Sequence, residues 1–282
     1  MVEGGTSEAE WAILEFLGDY GAVTQKHYRQ NLEQFMSWLT AEGVGLFDVK
    51  EPGLERYLEY LRTERRSQES TIRHKQSTLA QFYKFAEVTG RVNASPMEYL
   101  VLPPLQREVT TETLTQTELL ACLEVARREG IQPLLLWRLL AIHGLRVGEV
   151  VDLDVTDVEI HENGVVLRFF NRGTQEADHR ILDDETSSLA TRVVDGRSTG
   201  PLLRLTKGAS KGHRMDRRGA ARIITAVAKR AGVEKRLTPR SLRATCLILE
   251  LQSGKSMTDV QRAFGISDRR NFRAYKKRAL ST

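Results

Sequence analysis

Cysteine is scarce in this chain of 282 residues: there are two, Cys122 and Cys246, far apart and with no neighbouring thiol to complete a CxxC pair. They build neither a zinc site nor a disulfide framework, so a reducing, cytoplasmic setting is expected. Long apolar runs are missing as well. Apolar runs such as residues 133–137 fall far short of the roughly 20 residues that a bilayer crossing needs, and residues 1–10 lack the basic and then apolar regions of a signal peptide. No membrane association is expected. No two of the six histidines stand at metal-ligand spacing on one helix, so no metal is expected. Neither a GxGxxG fingerprint nor a complete GxxxxGK[ST] loop occurs, and Gly144 and Gly148 follow a helical segment, so no cofactor is implied.

Against these absences stands an excess of positive charge, unevenly placed. Lys and Arg number 42 against 37 Asp and Glu, a net +5. Residues 1–108 hold 12 basic and 16 acidic groups, residues 109–203 hold 9 and 16, and residues 204–282 hold 21 and 5. The last segment therefore carries +16, the first two −4 and −7. A modest imbalance would be a solvated helical face. At +16 the like charges repel unless a polyanion compensates them, and a polyanion is the expected partner.

From residue 9 to about residue 90 apolar side chains recur at helical spacing. The sets are Trp11, Leu14, Phe16 and Leu17; Tyr28, Leu32, Phe35, Trp38 and Leu39; Leu54, Tyr57, Leu58 and Leu61; and Ile72, Leu79, Phe82, Tyr83 and Phe85. Four helices without a strand are predicted, with these aromatics in the core. Thr24 before the second helix, Glu51-Pro52 at the start of the third and Ser70 or Thr71 at the start of the fourth supply the boundaries. Three of the seven prolines, Pro96, Pro103 and Pro104, lie in a stretch without helical periodicity. This divides the chain into a helical domain over residues 1–92, a linker over 93–113 and a second domain over 114–282. The second domain opens on a capping box, Thr115 with Glu118, before helices over 118–128 and 133–143, the latter interrupted by Gly144. Alternating β-branched segments over 155–160 and 165–170, joined by His161-Glu162-Asn163-Gly164, predict a hairpin, with a candidate third strand over 180–182. Helices are expected over 217–232, 242–253, 257–264 and from 269 onward. The fold class is mainly α with a small antiparallel β-sheet.

Four short signals stand in order in the second domain. They are His143-Gly144-Leu145-Arg146-Val147-Gly148-Glu149, Asn171-Arg172-Gly173, Thr238-Pro239-Arg240-Ser241-Leu242-Arg243-Ala244-Thr245 and Phe272-Arg273-Ala274-Tyr275. On these residues the sequence resembles the tyrosine recombinase (phage integrase) family. Residues 10–100, with Thr71-Ile72-Arg73-His74 and Phe82-Tyr83, are similar to its helical core-binding domain. The resemblance implies a core-binding domain that clamps double-stranded DNA, followed by an α+β catalytic domain. It implies a site-specific recombinase or integrase in which a tyrosine attacks a phosphodiester to give a 3′-phosphotyrosyl link. Carried over by position, Arg146 is the first catalytic arginine, with Glu149 placed to orient it. Arg243 is the second, in a motif that usually reads Pro-His-x-Leu-Arg-His-Thr, and Tyr275 is the nucleophile. The set is partly degenerate: the family's hairpin Lys falls at Arg172, its His before the second Arg at Arg240, and its third His or Trp at Ile266. The resemblance further implies that the helix bearing Arg73, Lys75 and Lys84 enters or borders the major groove, and that copies of the chain associate on DNA.

The residues carry the same chemistry without the family. An attacked phosphodiester builds charge on two non-bridging oxygens, which the planar forks of Arg146 and Arg243 match. A phenol, with a pKa near 10, needs a base or a cationic field to attack at neutral pH, and the leaving oxygen needs a proton. Arginine holds its proton too tightly to supply one, so Arg172 in place of Lys and Arg240 in place of His weaken acid–base catalysis. Lys211, His213, Arg217, Arg218 and Arg222 are expected to contact phosphate. His143 reads as structural, and His27, His74, His161 and His179 as exposed. Two readings stay open: the recombinase, and a recombinase-fold DNA-binding architectural or regulatory protein that cleaves weakly or not at all. Either would be cytoplasmic and nucleoid-associated when bound to DNA.

Overall fold

The computed structural model describes residues 7–98, 100, 111–171, 174–206, 208–266 and 269–280. It falls into two compact units, residues 1–105 and 106–282. In the first, four helices follow one another: α1 (Glu8–Gly18), α2 (Ala22–Glu42), α3 (Glu51–Thr63) and α4 (Glu69–Val88). Their apolar faces close on one core in which Phe35, Tyr57, Phe82 and Tyr83 are fully buried. Tyr83 takes its hydroxyl into that core by donating to the Leu46 carbonyl at 2.8 Å. The prediction for α1 fails at two positions. Its buried arc runs through Ala12, Ile13, Phe16 and Leu17, and at about 100° per residue Trp11 and Leu14 fall outside it, 62% and 43% exposed. The start of α2 also differs. Gly21 in extended backbone is its N-cap, and Thr24 lies inside the first turn.

The second unit is built around α6 (Ile131–Ala141), which is buried on every side from Pro133 to Ala141 and packs against α5 (Gln116–Glu129), α7 (Val147–Asp152), α8 (Asp184–Val194), α9 (Arg217–Arg230) and α10 (Pro239–Gln252). A helix apolar all round has to sit centrally. The Thr115–Glu118 capping box forms as predicted and starts α5. Between α7 and α8 lies a three-stranded antiparallel sheet in the order β1-β2-β3: β1 (Val158–His161), β2 (Gly164–Asn171) and β3 (Glu176–Ile181). Residues 155–157, expected as strand, form a short 3-10 turn because Asp154 and Asp157 cap each other's backbone N–H groups. α11 (Met257–Ala263) and α12 (Arg269–Leu280) complete the unit, and with α10 they enclose a separate apolar cluster that includes Leu247, Phe264, Phe272 and Tyr275.

Candidate active site

Arg146 stands where the chain leaves α6 and enters α7. Gly144 makes the turn with φ +62°, a conformation that L side chains adopt at a cost, and Arg146 is the N-cap of α7. Glu149, one turn on, accepts from the Arg146 backbone N–H at 2.6 Å and from Nη1 at 2.8 Å. Its side chain is 1% exposed, so the carboxylate acts on Arg146 with little water to screen it. Arg146 Nη1 also donates to Asn171 Oδ1 at 3.0 Å and Nη2 to the Gly265 carbonyl at 2.9 Å. The guanidinium is thus held by a helix, a strand end and a turn.

Arg243 rises from the second turn of α10, whose start is fixed by the Thr238–Ser241 capping box and Pro239. Its Nη1 donates to the Gly144 carbonyl and its Nη2 to the Phe264 carbonyl at 2.5 Å. Burial, and after it the like charge of Arg146, pulls its pKa down to about 10, which leaves it protonated at neutral pH. Tyr275, on α12, is 9% exposed and packs in the apolar cluster over α10.

These residues converge. Arg146, Arg240, Arg243 and Tyr275 line one pocket of about 310 Å³, whose wall is completed by apolar groups including Ala244, Leu247, Ile266 and Phe272. Arg240 is exposed at its rim. Arg172, the fifth residue chosen from the sequence, lies outside the described residues. Ile266 and Ala244 occupy the positions where the motifs carry imidazole, and they give the pocket an apolar wall there.

Asn171 has a role that its motif did not disclose. It is 2% exposed at the end of β2, accepts from Arg146 and donates from Nδ2 to Asp178 Oδ2 at 2.8 Å. Gly265, with φ +56°, lets the turn after α11 close on it, since a Cβ there would lie 2.4 Å from Asn171 Nδ2. A polar residue directly before the catalytic-lysine position, and a glycine directly before Ile266, were the available signals.

The residues expected to touch DNA lie in both units. Lys211 and His213 are exposed on the loop before α9, and Arg217, Arg218 and Arg222 are exposed on its first turns. Arg73 and Lys84 stand about three turns apart on α4 and share a face; Lys84 is exposed and Arg73 pairs with Glu69 at 3.6 Å. Lys75 points elsewhere. Its ammonium is half-buried against α2, donating to Gln34 Oε1 and to Asn31 Oδ1 at 3.5 Å, and burial lowers its pKa. His27, His74, His161 and His179 are exposed. His143 is buried 3.0 Å from Asp183 Oδ2 and 3.1 Å from Thr186 Oγ1, and burial pushes its pKa down to about 4. It is a structural histidine. No helix among the described residues is long and apolar enough to cross a membrane.

Two fixed guanidiniums beside a phenol can hold a tetrahedral anion by two of its oxygens and offer it an oxygen nucleophile. The chain is similar to the tyrosine recombinase XerC of Roseiflexus sp., 28% identical over 271 residues that cover 90% of this chain and 84% of that one. It is also similar to XerD of Listeria monocytogenes, 25% identical over 260 residues covering 88% and 85%. Among solved structures it is similar to the XerH site-specific recombinase bound to a palindromic difH substrate, with a TM-score of 0.73 at 16% identity over 93% of this chain and 78% of that one. A lambda integrase dimer bound to a COC′ core site matches with a TM-score of 0.70 at 14% identity over 94% and 92%. The family model for the phage integrase N-terminal SAM-like domain matches residues 16–88, and that of the phage integrase family itself matches residues 112–280, so the chain belongs to the phage integrase family.

Proposed function

We propose that this protein is a site-specific DNA recombinase that breaks and rejoins duplex DNA through a 3′-phosphotyrosyl intermediate on Tyr275. The observation that carries the proposal is the convergence of Arg146, Arg240, Arg243 and Tyr275 on one pocket. Arg146 and Arg243 bind the two non-bridging oxygens of the scissile phosphate and stabilise the charge that grows on them as the phenol oxygen attacks phosphorus. The phenolic proton passes to water, the P–O5′ bond breaks, and the departing O5′ takes its proton from water, because the residue at the family's lysine position in the sequence is Arg172, which holds its own proton too tightly to give it up. The first unit and the basic surface around α9 hold the duplex. Copies of the chain associate on DNA, as in the lambda integrase dimer on its core site. The work is cytoplasmic and nucleoid-associated.

A second reading, a recombinase-fold DNA-binding protein of weak or absent activity, is favoured by the departures from the family's catalytic set at Arg172, Arg240 and Ile266, the last an apolar side chain on the pocket wall. One experiment separates the two. A duplex recovered by selection for binding is nicked to make cleavage irreversible, and the protein is examined for a covalent adduct mapped to Tyr275. The recombinase gives an adduct that Tyr275→Phe abolishes while its DNA affinity stays within about twofold, because only one oxygen is removed. Binding without any adduct, in wild type and in Arg172→Lys, establishes the second reading.

A further inference from the structure

Three consecutive carbonyls at the end of α11 are each taken by a different arginine. Arg180 Nη2 donates to the Ala263 carbonyl at 2.6 Å, Arg243 Nη2 to the Phe264 carbonyl at 2.5 Å and Arg146 Nη2 to the Gly265 carbonyl at 2.9 Å. The Phe264 ring lies under two of these guanidiniums, with the Arg180 carbon 5.2 Å and the Arg243 carbon 5.8 Å from its centroid. The ring also lies against Gly144, whose missing Cβ would stand 2.1 Å from Phe264 Cε1. The turn over 263–265 is therefore a common seat for both phosphate-facing arginines. Arg180 is the member of the trio that does not reach the pocket: it comes from β3, is absent from the pocket lining, and has a buried Nε without a hydrogen-bond partner.

We propose that Arg180 is a positioning residue for strand cleavage. It ties the sheet to the 263–265 turn and so fixes the two carbonyls that aim Arg243 and Arg146 at the phosphate. A helix C-terminus presents carbonyls without partners, and a cation satisfies them and fixes their direction. Without Arg180 the Ala263 carbonyl and one face of Phe264 lose their contacts. The turn can then shift, and a displacement of about 1 Å in a catalytic group costs up to roughly 100-fold in rate. This inference rests on the reading of the pocket as a strand-cleaving site.

The test uses the full chain on the nicked, binding-selected duplex, with single-turnover adduct formation measured at saturating DNA alongside Kd and thermal stability. Arg180→Leu is expected to slow adduct formation about 10- to 100-fold at a temperature where both proteins are folded, with Kd within about twofold of wild type. Arg180→Lys, which returns one donor to Ala263 and a cation to Phe264, is expected to recover part of the rate. Should Arg180→Leu fail to fold, Arg180→Gln carries the same expectation of slowed cleavage, since it keeps a donor but gives up the charge over the ring. A rate unchanged within twofold overturns the positioning role and leaves the recombinase reading standing. Rate and affinity falling together also overturn it, by making Arg180 a DNA contact. No adduct from wild type overturns the recombinase reading itself, and this inference with it.

Discussion

Gly144 is the most exacting position in the site, and Gly144→Ala tests whether the turn over 263–265 is packed as described. The backbone at 144 has φ +62°, and an ideal Cβ there would lie 2.1 Å from Phe264 Cε1, 2.7 Å from Cδ1 and 3.1 Å from Cys246 Sγ. Placing an L residue in the left-handed region costs about 1–2 kcal/mol. Forcing a methyl into a filled core costs about 1–3 kcal/mol more, giving roughly 2–5 kcal/mol in all. In a Phe264→Ala background the ring is gone and of the packing contribution only the 3.1 Å approach to Cys246 Sγ remains, so the same substitution should cost little more than the backbone's share, about 1–2 kcal/mol. The comparison between backgrounds isolates the contact from the strain.

Urea unfolding read from Trp137 measures this in the correct unit. Trp137 is fully buried in the second unit, and the other two tryptophans, Trp11 and Trp38, belong to the first and can be made Phe. A Gly144→Ala cost below about 0.5 kcal/mol, the scale of an ordinary surface substitution, would refute the packing. A cost that is the same with and without Phe264 would refute the clash. The functional counterpart is a loss of cleavage in Gly144→Ala, because the Gly144 carbonyl accepts from Arg243 Nη1.

Two further outcomes are expected. Replacing Arg217, Arg218 and Arg222 by Ala should flatten the log–log salt dependence of DNA binding by about 0.9 for each phosphate contact removed; an unchanged slope puts these side chains off the DNA. His143 has a folded pKa of about 4 against an ordinary value of 6.5, so between those values the unfolded chain binds its proton first and stability falls as pH drops. The loss from pH 7.5 to pH 5 is about 2 kcal/mol by linkage, and His143→Gln should lack it; identical pH profiles for the two proteins would contradict a buried neutral imidazole.

How much of this was legible in the sequence depended on whether the deciding contacts were local. The Thr115–Glu118 box, the Glu51-Pro52 start and the His161–Gly164 hairpin turn are set by neighbours in the chain, and each forms as read. α8 was not anticipated although its Asp183 cap, which accepts from the Thr186 N–H at 2.9 Å, is a local signal; what sequence spacing does not reveal is that Asp183 and Thr186 also bind Arg138 on α6 and His143 just after it. Lys75 looked like a DNA contact from its place beside Arg73, yet its direction is set by Asn31 and Gln34 on another helix. Trp11 and Leu14 matched a helical period without telling which arc of the helix faces the core. At the site, Arg146, Arg243 and Tyr275, chosen from the sequence because the proposed chemistry demands particular residue types, line one pocket. Asn171, Gly265 and Arg180 were not so chosen, since each acts only through a partner far away in sequence.

The way the two arginines are held bears on what they can bind. A guanidinium fixed wholly by carboxylates would meet an incoming phosphate already neutralised. Arg243 is aimed by the carbonyls of Gly144 and Phe264, which orient it through dipoles and leave its unit charge for the ligand. Arg146 does carry a carboxylate, Glu149, but it has a second carbonyl, Gly265, and an amide oxygen, Asn171. Burial and, after it, the like charge of Arg146 lower the pKa of Arg243. A phosphodiester bound between the two guanidiniums would offset the repulsion between their like charges. In the mechanism we propose, charge grows further on the non-bridging oxygens as Tyr275 attacks, and the same two forks gain most at that stage, which is the condition for lowering the barrier rather than only tightening the complex.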